Sequence, residues 1–112
     1  MAIRALLLLS LVLVTTPKAW SADANDLVRV LQSGRCANCS LADADLVHAD
    51  LRDADLQGAG LQRANLGQAR LDGADLKGAD LSFTSLNGAS LRGADLRGSR
   101  LYGTDLRNSD LS

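Results

Sequence analysis

The chain of 112 residues contains 23 leucines and 17 alanines but no Glu and only three aromatic residues, so it is one small domain without a conventional aromatic core. Its 12 basic and 13 acidic side chains nearly cancel, which excludes the basic surface that binds nucleic acids or anionic membranes. One His and two Cys leave little material for catalysis, and we predict no catalytic, cofactor-binding or metal-binding residue.

The N-terminus has the three-part layout of a secretory signal peptide. A short positive leader, Met1–Arg4, precedes an apolar run, Ala5–Val14, and a polar stretch of small residues follows. The apolar run has ten residues whereas a membrane span needs about 20, so we expect export and no stable span after processing. The small residues that precede a cleavage site occur before two positions, so cleavage is possible after Ser21 or after Ala24. The first site lies closer to the apolar run, and we therefore assign residues 1–21 to the signal peptide.

Residues 22–38 are predicted to form an N-terminal cap. Within them, residues 25–33 have the pattern of a short amphipathic helix that begins at Asn25 or Asp26 and ends at Gly34. We interpret this helix as a lid over the domain that follows, rather than as a helix that binds a partner. Its predicted apolar stripe consists of Leu27, Val30 and Leu31.

Residues 39–112 carry a five-residue repeat. Every Leu after Leu31 falls in one register, which gives fifteen leucines from Leu41 to Leu111 at a constant spacing of five. A helix turns about 100° per residue and a strand alternates its two sides, so neither would bury these leucines together. A chain that turns a corner every five residues would bury them all.

The residues between the leucines support this interpretation. The position two before each Leu is always small, from Cys39 to Ser109, so large and small side chains would alternate inside a narrow tube. The second position after Leu requires a positive φ if Leu begins a type II turn. Gly fills it seven times, and Asn or Asp, which tolerate this region next best, occupy four further such positions.

Segments such as Ala54–Gly58 (ADLQG) and Ala94–Gly98 (ADLRG) resemble the A-(D/N)-L-x-x unit of the pentapeptide repeat family. The resemblance covers residues 39–112 and implies an all-β solenoid, a right-handed quadrilateral β-helix with four pentapeptides per coil. Counting Cys36 as the first centre gives sixteen units, and so about four coils behind a short N-terminal capping helix. The signal peptide, the cap and the CxxC motif formed by Cys36 and Cys39 resemble those of exported cyanobacterial members of this family. This resemblance implies that the protein is located in the periplasm or the thylakoid lumen.

The CxxC motif brackets one predicted corner, with Cys36 at a Leu-type centre and Cys39 at the next small position. A tight turn holds the two Cα atoms within about 7 Å, which admits a disulfide, and an exported chain meets an oxidising compartment. We predict a structural disulfide, with two free buried thiols or a metal site as the alternatives. A zinc site needs four ligands, and His48 is the only His.

Residues 20 apart would stack on the outside of such a coil and form columns. One column is acidic and is a candidate site for a cation or a partner, with a solvated surface as the simpler interpretation. The acidic column consists of Asp55, Asp75 and Asp95. Residues 41–60 carry five Asp and one Arg, whereas residues 81–100 carry three Arg and one Asp, so the N-terminal end is predicted to be the more acidic.

Two further features are candidate partner contacts. Phe83 and Tyr102, the only aromatic residues after the predicted cleavage site, should lie outward on one side, one coil apart; incidental exposure is the alternative. The sequence stops within the repeat register, so Leu101, Leu106 and Leu111 should be incompletely covered. We expect this end to dock weakly on a second copy or on a partner, with a frayed monomeric end as the alternative.

No nucleophile–base pair, phosphate-binding loop or pocket-forming pattern suggests an enzyme. We expect an exported, non-enzymatic structural or binding module that presents a rigid β-helical surface to a protein partner. The family resemblance offers one alternative, a DNA-mimicking protein that binds DNA gyrase. Such relatives are cytoplasmic, longer and strongly acidic, unlike a chain with an export signal and a mixed surface.

Overall fold

The computed structural model of the protein describes residues 21–112, so the predicted signal peptide lies outside the described residues except for Ser21. The described chain consists of one helix, α1 (Ala24–Ser33), followed by a regular series of turns and isolated β-bridges from Arg35 to Asp110. Helix α1 has ten residues, and within the described part of the chain no helix has the length and apolar character needed to cross a membrane.

Helix α1 begins one residue earlier than predicted. Its N-cap is Asp23 rather than Asn25 or Asp26, because the carboxylate of Asp23 accepts hydrogen bonds from the backbone N–H groups of Asn25 (2.8 Å) and Asp26 (3.3 Å). The predicted end at Gly34 is confirmed. Gly34 adopts a φ of 72° and donates its N–H to the carbonyl of Val30 at 3.1 Å.

Helix α1 covers the start of the repeat with only part of the predicted stripe. Val30 is 1% exposed and Leu27 packs against the core, whereas Leu31 is 53% exposed. The prediction for Leu31 is therefore wrong. Leu31 follows Val30 directly, so its side chain points about 100° further around the helix and away from the buried side.

Residues 35–112 wind with a period of 20 residues, and the first coil comprises residues 35–54. Every fifth residue from Arg35 to Ser90 forms a single parallel bridge with the residue 20 positions later, and these bridges are not joined into longer strands. Backbone hydrogen bonds connect the same coils, as in the bond from the N–H of Leu66 to the carbonyl of Ser85 at 2.8 Å. Each coil pairs with its neighbours, so stability is roughly a sum of local contributions.

A turn precedes each bridge and directs the chain onto the next side of the coil. The Leu carbonyl accepts a hydrogen bond from the N–H three residues later, as Leu66 does from Ala69 at 3.0 Å. The third turn residue has a φ between 59° and 74° in all fifteen turns, so the predicted positive φ is confirmed. The coil also imposes a positive φ on four residues that are not Gly, Asn or Asp: His48, Arg63, Gln68 and Phe83.

The leucines fill the interior of the tube. The eleven leucines from Leu41 to Leu91 are at most 2% exposed, and each contributes on the order of 1.5–3 kcal/mol by burial. Thr84 takes the place of Ala at one small inward position. It is fully buried, and its hydroxyl donates to the carbonyl of Leu61 at 2.6 Å, which satisfies the buried polar group.

Four of the turn glycines also make room for a side chain of the preceding coil. A Cβ added to Gly103 would lie 2.6 Å from the ring of Phe83, and one added to Gly88 would lie 2.9 Å from Nε2 of Gln68. At Gly103, space therefore adds to the conformational requirement, because the whole ring of Phe83 would have to move. The other two pairs are Asn38 over Gly58 and Asp53 over Gly73.

Candidate partner-binding face

The aromatic face is the side of the tube formed by the outward residues of the four units centred on Leu41, Leu61, Leu81 and Leu101. The structure brings the two predicted contact residues together on this face. Phe83 is 56% exposed and Tyr102 is 76% exposed. Their ring centroids are 5.4 Å apart with an interplanar angle of 89°, an edge-to-face arrangement that aromatic pairs favour.

The backbone fixes this aromatic pair. The N–H of Phe83 donates to the carbonyl of Tyr102 at 2.8 Å, so the two residues lie on directly neighbouring coils. Phe83 adopts a φ of 59°, which an aromatic residue rarely does, and the turn bond from Thr84 to Leu81 (3.0 Å) closes around it. Its ring lies over Gly103, where no side chain competes for the space. The pair is therefore displayed by a rigid support.

Polar groups one coil earlier on the aromatic face are paired with one another. Arg63, directly before Phe83 in its column, donates two hydrogen bonds to Asp43 at 2.9 and 3.0 Å. The Arg63 side chain thereby lowers the pKa of Asp43 below its ordinary value. Gln62 donates through Nε2 to Asp80 at 2.9 Å. The surroundings of the aromatic pair are thus polar but largely compensated in charge.

The acidic column is formed as predicted, since consecutive parallel bridges join Asp55 to Asp75 and Asp75 to Asp95. Its charge is partly compensated, because Lys77 lies 3.7 Å from Asp75 and Arg97 bonds Asp95 at 2.9 and 2.6 Å. Hydrogen bonds from Arg97 lower the pKa of Asp95 to about 2. Ion pairs thus form at two of its three carboxylates. Within residues 21–112 no three His, Cys or Asp side chains lie close enough to hold a metal ion.

Cys36 and Cys39 form the predicted disulfide across one turn, with their Cα atoms 5.1 Å apart and both side chains buried. No free cysteine remains in the described chain, so the alternatives of free thiols and of a metal site are wrong. The Sγ atom of Cys36 lies 3.3 Å from the carbonyl oxygen of Asp26 in α1. The disulfide therefore lies beneath the capping helix.

The leucines of residues 101–112 are less well covered than those before them. Leu101 is 41% exposed and Leu111 is 51% exposed, while Leu106 is half-buried against the core. The leucines from Leu41 to Leu91 are at most 2% exposed. The predicted incomplete cover is thus present, and Tyr102 lies next to Leu101 in the chain.

A family model described as pentapeptide repeats matches residues 35–73 and 74–112, with eight copies. A solved pentapeptide repeat protein (Rfr23) from the cyanobacterium Cyanothece 51142 is 35% identical with a TM-score of 0.68, and the match covers 70% of this chain and 54% of that one. One from the Arabidopsis thaliana thylakoid lumen is 27% identical with a TM-score of 0.50, covering 72% of this chain and 64% of that one. No curated protein matches the sequence.

The chain thus spans 54% and 64% of the lengths of these two structures. The repeat and its solved neighbours imply a right-handed β-helix, which agrees with the 20-residue period of the bridges. The family match covers residues 35–112, well over half of the sequence. The chain belongs to the pentapeptide repeat family.

Proposed function

We propose that the protein is an exported, non-enzymatic binding module that presents its aromatic face to a protein partner, on a right-handed coil of about four turns that α1 caps in part at one end. The observation that carries this proposal is the edge-to-face pair of Phe83 and Tyr102, more than half exposed on a hydrogen-bonded backbone. Pentapeptide repeat proteins are generally non-enzymatic, which agrees with a function in binding rather than in catalysis.

Physical chemistry favours such a pair as a contact. A large aromatic side chain buries about 150–250 Å² when covered, and aromatic residues dominate the binding free energy of many interfaces. The backbone of Phe83 and Tyr102 is already held by the coil, so binding loses little backbone conformational entropy. The DNA-mimicking alternative has less support, because Arg63 and Arg97 compensate acidic groups that a DNA-like surface would leave free.

Export is the second part of the proposal, and contacts at the start of the fold support cleavage after Ser21. Ala22 packs against the core, and Asp23 caps α1 and donates its N–H to the carbonyl of Ser40 at 2.9 Å. Cleavage after Ala24 would remove these contacts. The disulfide suits an oxidising compartment, and one solved neighbour comes from a thylakoid lumen.

Mass and fluorescence of the protein recovered from an exported compartment test the processing step. Trp20 is the only Trp, so the processed protein should show no tryptophan fluorescence and an intact mass that begins at Ala22. A mature form that retains Trp20 would contradict cleavage, and a mass beginning at Asn25 would contradict the chosen site.

Binding is tested by comparing the proteins that immobilised variants retain from the same compartment. The test variant combines Phe83→Asn with Tyr102→Ser, since Asn tolerates the positive φ at position 83. The matched control combines Gln57→Ser with Lys77→Ser on another side of the coil. We expect the test variant to lose a protein that wild type and control both retain. Identical sets from all three would refute the aromatic face as the binding surface.

We also propose weak self-association through Leu101, Leu106 and Leu111, whose exposed apolar surface supports it. The small cross-section of the tube predicts an interface below about 1,200 Å² and hence a transient dimer. Sedimentation of the full chain should show concentration-dependent dimers that Leu101→Lys weakens. A strict monomer over a wide concentration range would rule the dimer out.

A further inference from the structure

Within residues 21–112 no coil precedes the first one, and the cap takes the place of a preceding coil on one side. The backbone N–H of Ser40 donates to Oδ2 of Asp26 at 2.9 Å, and the carbonyl of Ser40 accepts from the N–H of Asp23 at 2.9 Å. The N–H of Arg35 donates to Oγ of Ser33 at 3.1 Å. The cap therefore satisfies the backbone at Arg35 and Ser40.

The other side of the first coil has no such cover. One coil later, the equivalent N–H groups of Asn65 and Arg70 each donate to a carbonyl of the preceding coil at 2.9 Å. Among residues 21–112, no acceptor receives the N–H of Asp45 or of Asp50. An uncovered ladder edge is a template for pairing with another chain. We call residues 45–53 the open edge.

Exposed apolar side chains lie near these backbone groups, beside a groove whose own surface is mainly polar. A groove of about 350 Å³ lies between the end of α1 and the open edge. Leu31 is 53% exposed in its lining, and Val28, on the same side of the helix, is 51% exposed. Val47 on the open edge is 38% exposed. The groove lining also includes Val30, Ser33, Leu51 and Asp53.

The open edge is negatively charged. It carries three carboxylates, of Asp45, Asp50 and Asp53, against the single guanidinium of Arg52. Arg52 bonds Asp50 at 2.8 and 2.7 Å. Neither Asp45 nor Asp53 forms an ion pair with a side chain of the described residues. Residues 45–53 therefore carry two more carboxylates than guanidinium groups.

We infer that the open edge binds an extended segment of a partner protein in which Lys or Arg residues flank an apolar side chain. The backbone of the segment pairs with the groups at Asp45 and Asp50, its apolar side chain packs on the exposed Leu31 at the rim of the groove, and its cations approach Asp45 and Asp53. This surface lies apart from the aromatic face, so either proposal can fail without the other.

The probe is a short synthetic peptide of alternating Lys and Leu, titrated into the isotope-labelled exported protein and followed by amide NMR. We expect the largest shifts and new exchange protection at the N–H groups of Asp45 and Asp50. The same peptide with Glu in place of Lys should bind at least roughly tenfold more weakly. A peptide with alternate backbone nitrogens methylated, which cannot complete the ladder, should also bind more weakly.

Protein variants locate the binding site. Leu31→Ser combined with Asp53→Asn should weaken the Lys–Leu peptide roughly tenfold, because it removes one apolar contact and one charge. The control Asp75→Asn removes one carboxylate from another side and should change the affinity by less than roughly twofold. None of the three substituted positions is buried, and unchanged melting temperatures verify that the fold is retained.

Three results would overturn the inference. One is absence of binding, or shifts confined to residues outside the open edge. Another is an equal loss of affinity for Asp75→Asn, which would indicate general attraction to an acidic protein. The third is protection of Asp45 and Asp50 on concentrating the protein without peptide, which would make a second copy of the chain the occupant.

Discussion

The central coils and the first coil share one five-residue pattern but differ in what pairs with their backbone. In the central coils, Asn65 donates to the coil before it and Leu66 donates to the coil after it. In the first coil, Asp26 and Ser33 replace the preceding coil on one side, and on the other the backbone N–H groups of Asp45 and Asp50 find no acceptor among the described residues. The repeat thus sets the direction of side chains, while neighbouring coils decide whether the backbone is satisfied.

The largest expected effect tests the central coils. Leu66 is fully buried in the repeat interior, so Leu66→Arg places an unpaired charge there and should abolish cooperative thermal unfolding. Gln57→Arg, at an exposed position in the column that already carries Arg97, is the matched control and should unfold like wild type. A near-normal melting curve for Leu66→Arg would contradict the inward register of the leucines.

The second prediction concerns the first coil. Loss of the disulfide in a Cys36→Ala, Cys39→Ala variant should lower the free energy of unfolding by about 2 kcal/mol, a modest value because the bridged loop is short. Denaturant titration with and without reductant measures it. Reductant should shift the wild type and leave the double variant unchanged. A wild type indifferent to reductant would show that the disulfide does not stabilise this coil.

The third prediction separates the true helix cap from the expected one. Asp23→Ala should cost about 1 kcal/mol, since its carboxylate caps α1 through Asn25 and Asp26. Asn25→Ala, on the exposed side of the same helix, should stay within about 0.5 kcal/mol of wild type. Denaturant unfolding distinguishes the two, and the reverse order would refute Asp23 as the cap.

The smallest expected effect is the pH dependence of the exposed ion pairs. Arg side-chain and backbone hydrogen bonds lower the pKa of Asp50, Asp95 and Asp105 from 3.8 to about 2. The unfolded chain therefore binds protons more readily, so this stabilisation is present above about pH 4 and is lost as the pH falls toward 2. All three carboxyls are on the surface, which keeps the effect small.

Melting temperatures measured between about pH 5 and pH 2 test this sign. They should fall with acidification, and Arg97→Gln should reduce the fall, because it removes the main partner of Asp95. A melting temperature that rises on acidification would contradict the assignment of these pairs.

The fold was largely predictable because each leucine at a spacing of five and each turn residue obeys local rules. Asp23 was missed as the helix cap because its position depends on a tertiary bond to Ser40. The positive φ of Phe83 follows from its place in the repeat and not from its residue type, because the coil imposes it against the preference of an aromatic residue. Its outward direction followed from the register, but its contact with Tyr102 depends on the empty space above Gly103.

The open edge was not predictable from the sequence. The pattern around Asp45 and Asp50 equals that of later coils, and only the position of α1 decides which backbone groups have partners. The exposure of Leu31 likewise depends on how the helix lies over the tube. Features at the ends of a solenoid arise from packing that the repeat does not encode.

Residue-resolved amide hydrogen exchange tests the difference between the two regions most directly. The account predicts fast exchange at Asp45 and Asp50, strong protection at Asn65 and Arg70 in the next coil, and protection at Ser40 that Asp26→Ala removes. Equal protection of Asp45, Asp50, Asn65 and Arg70 would contradict it, because the first coil would then be closed on both sides.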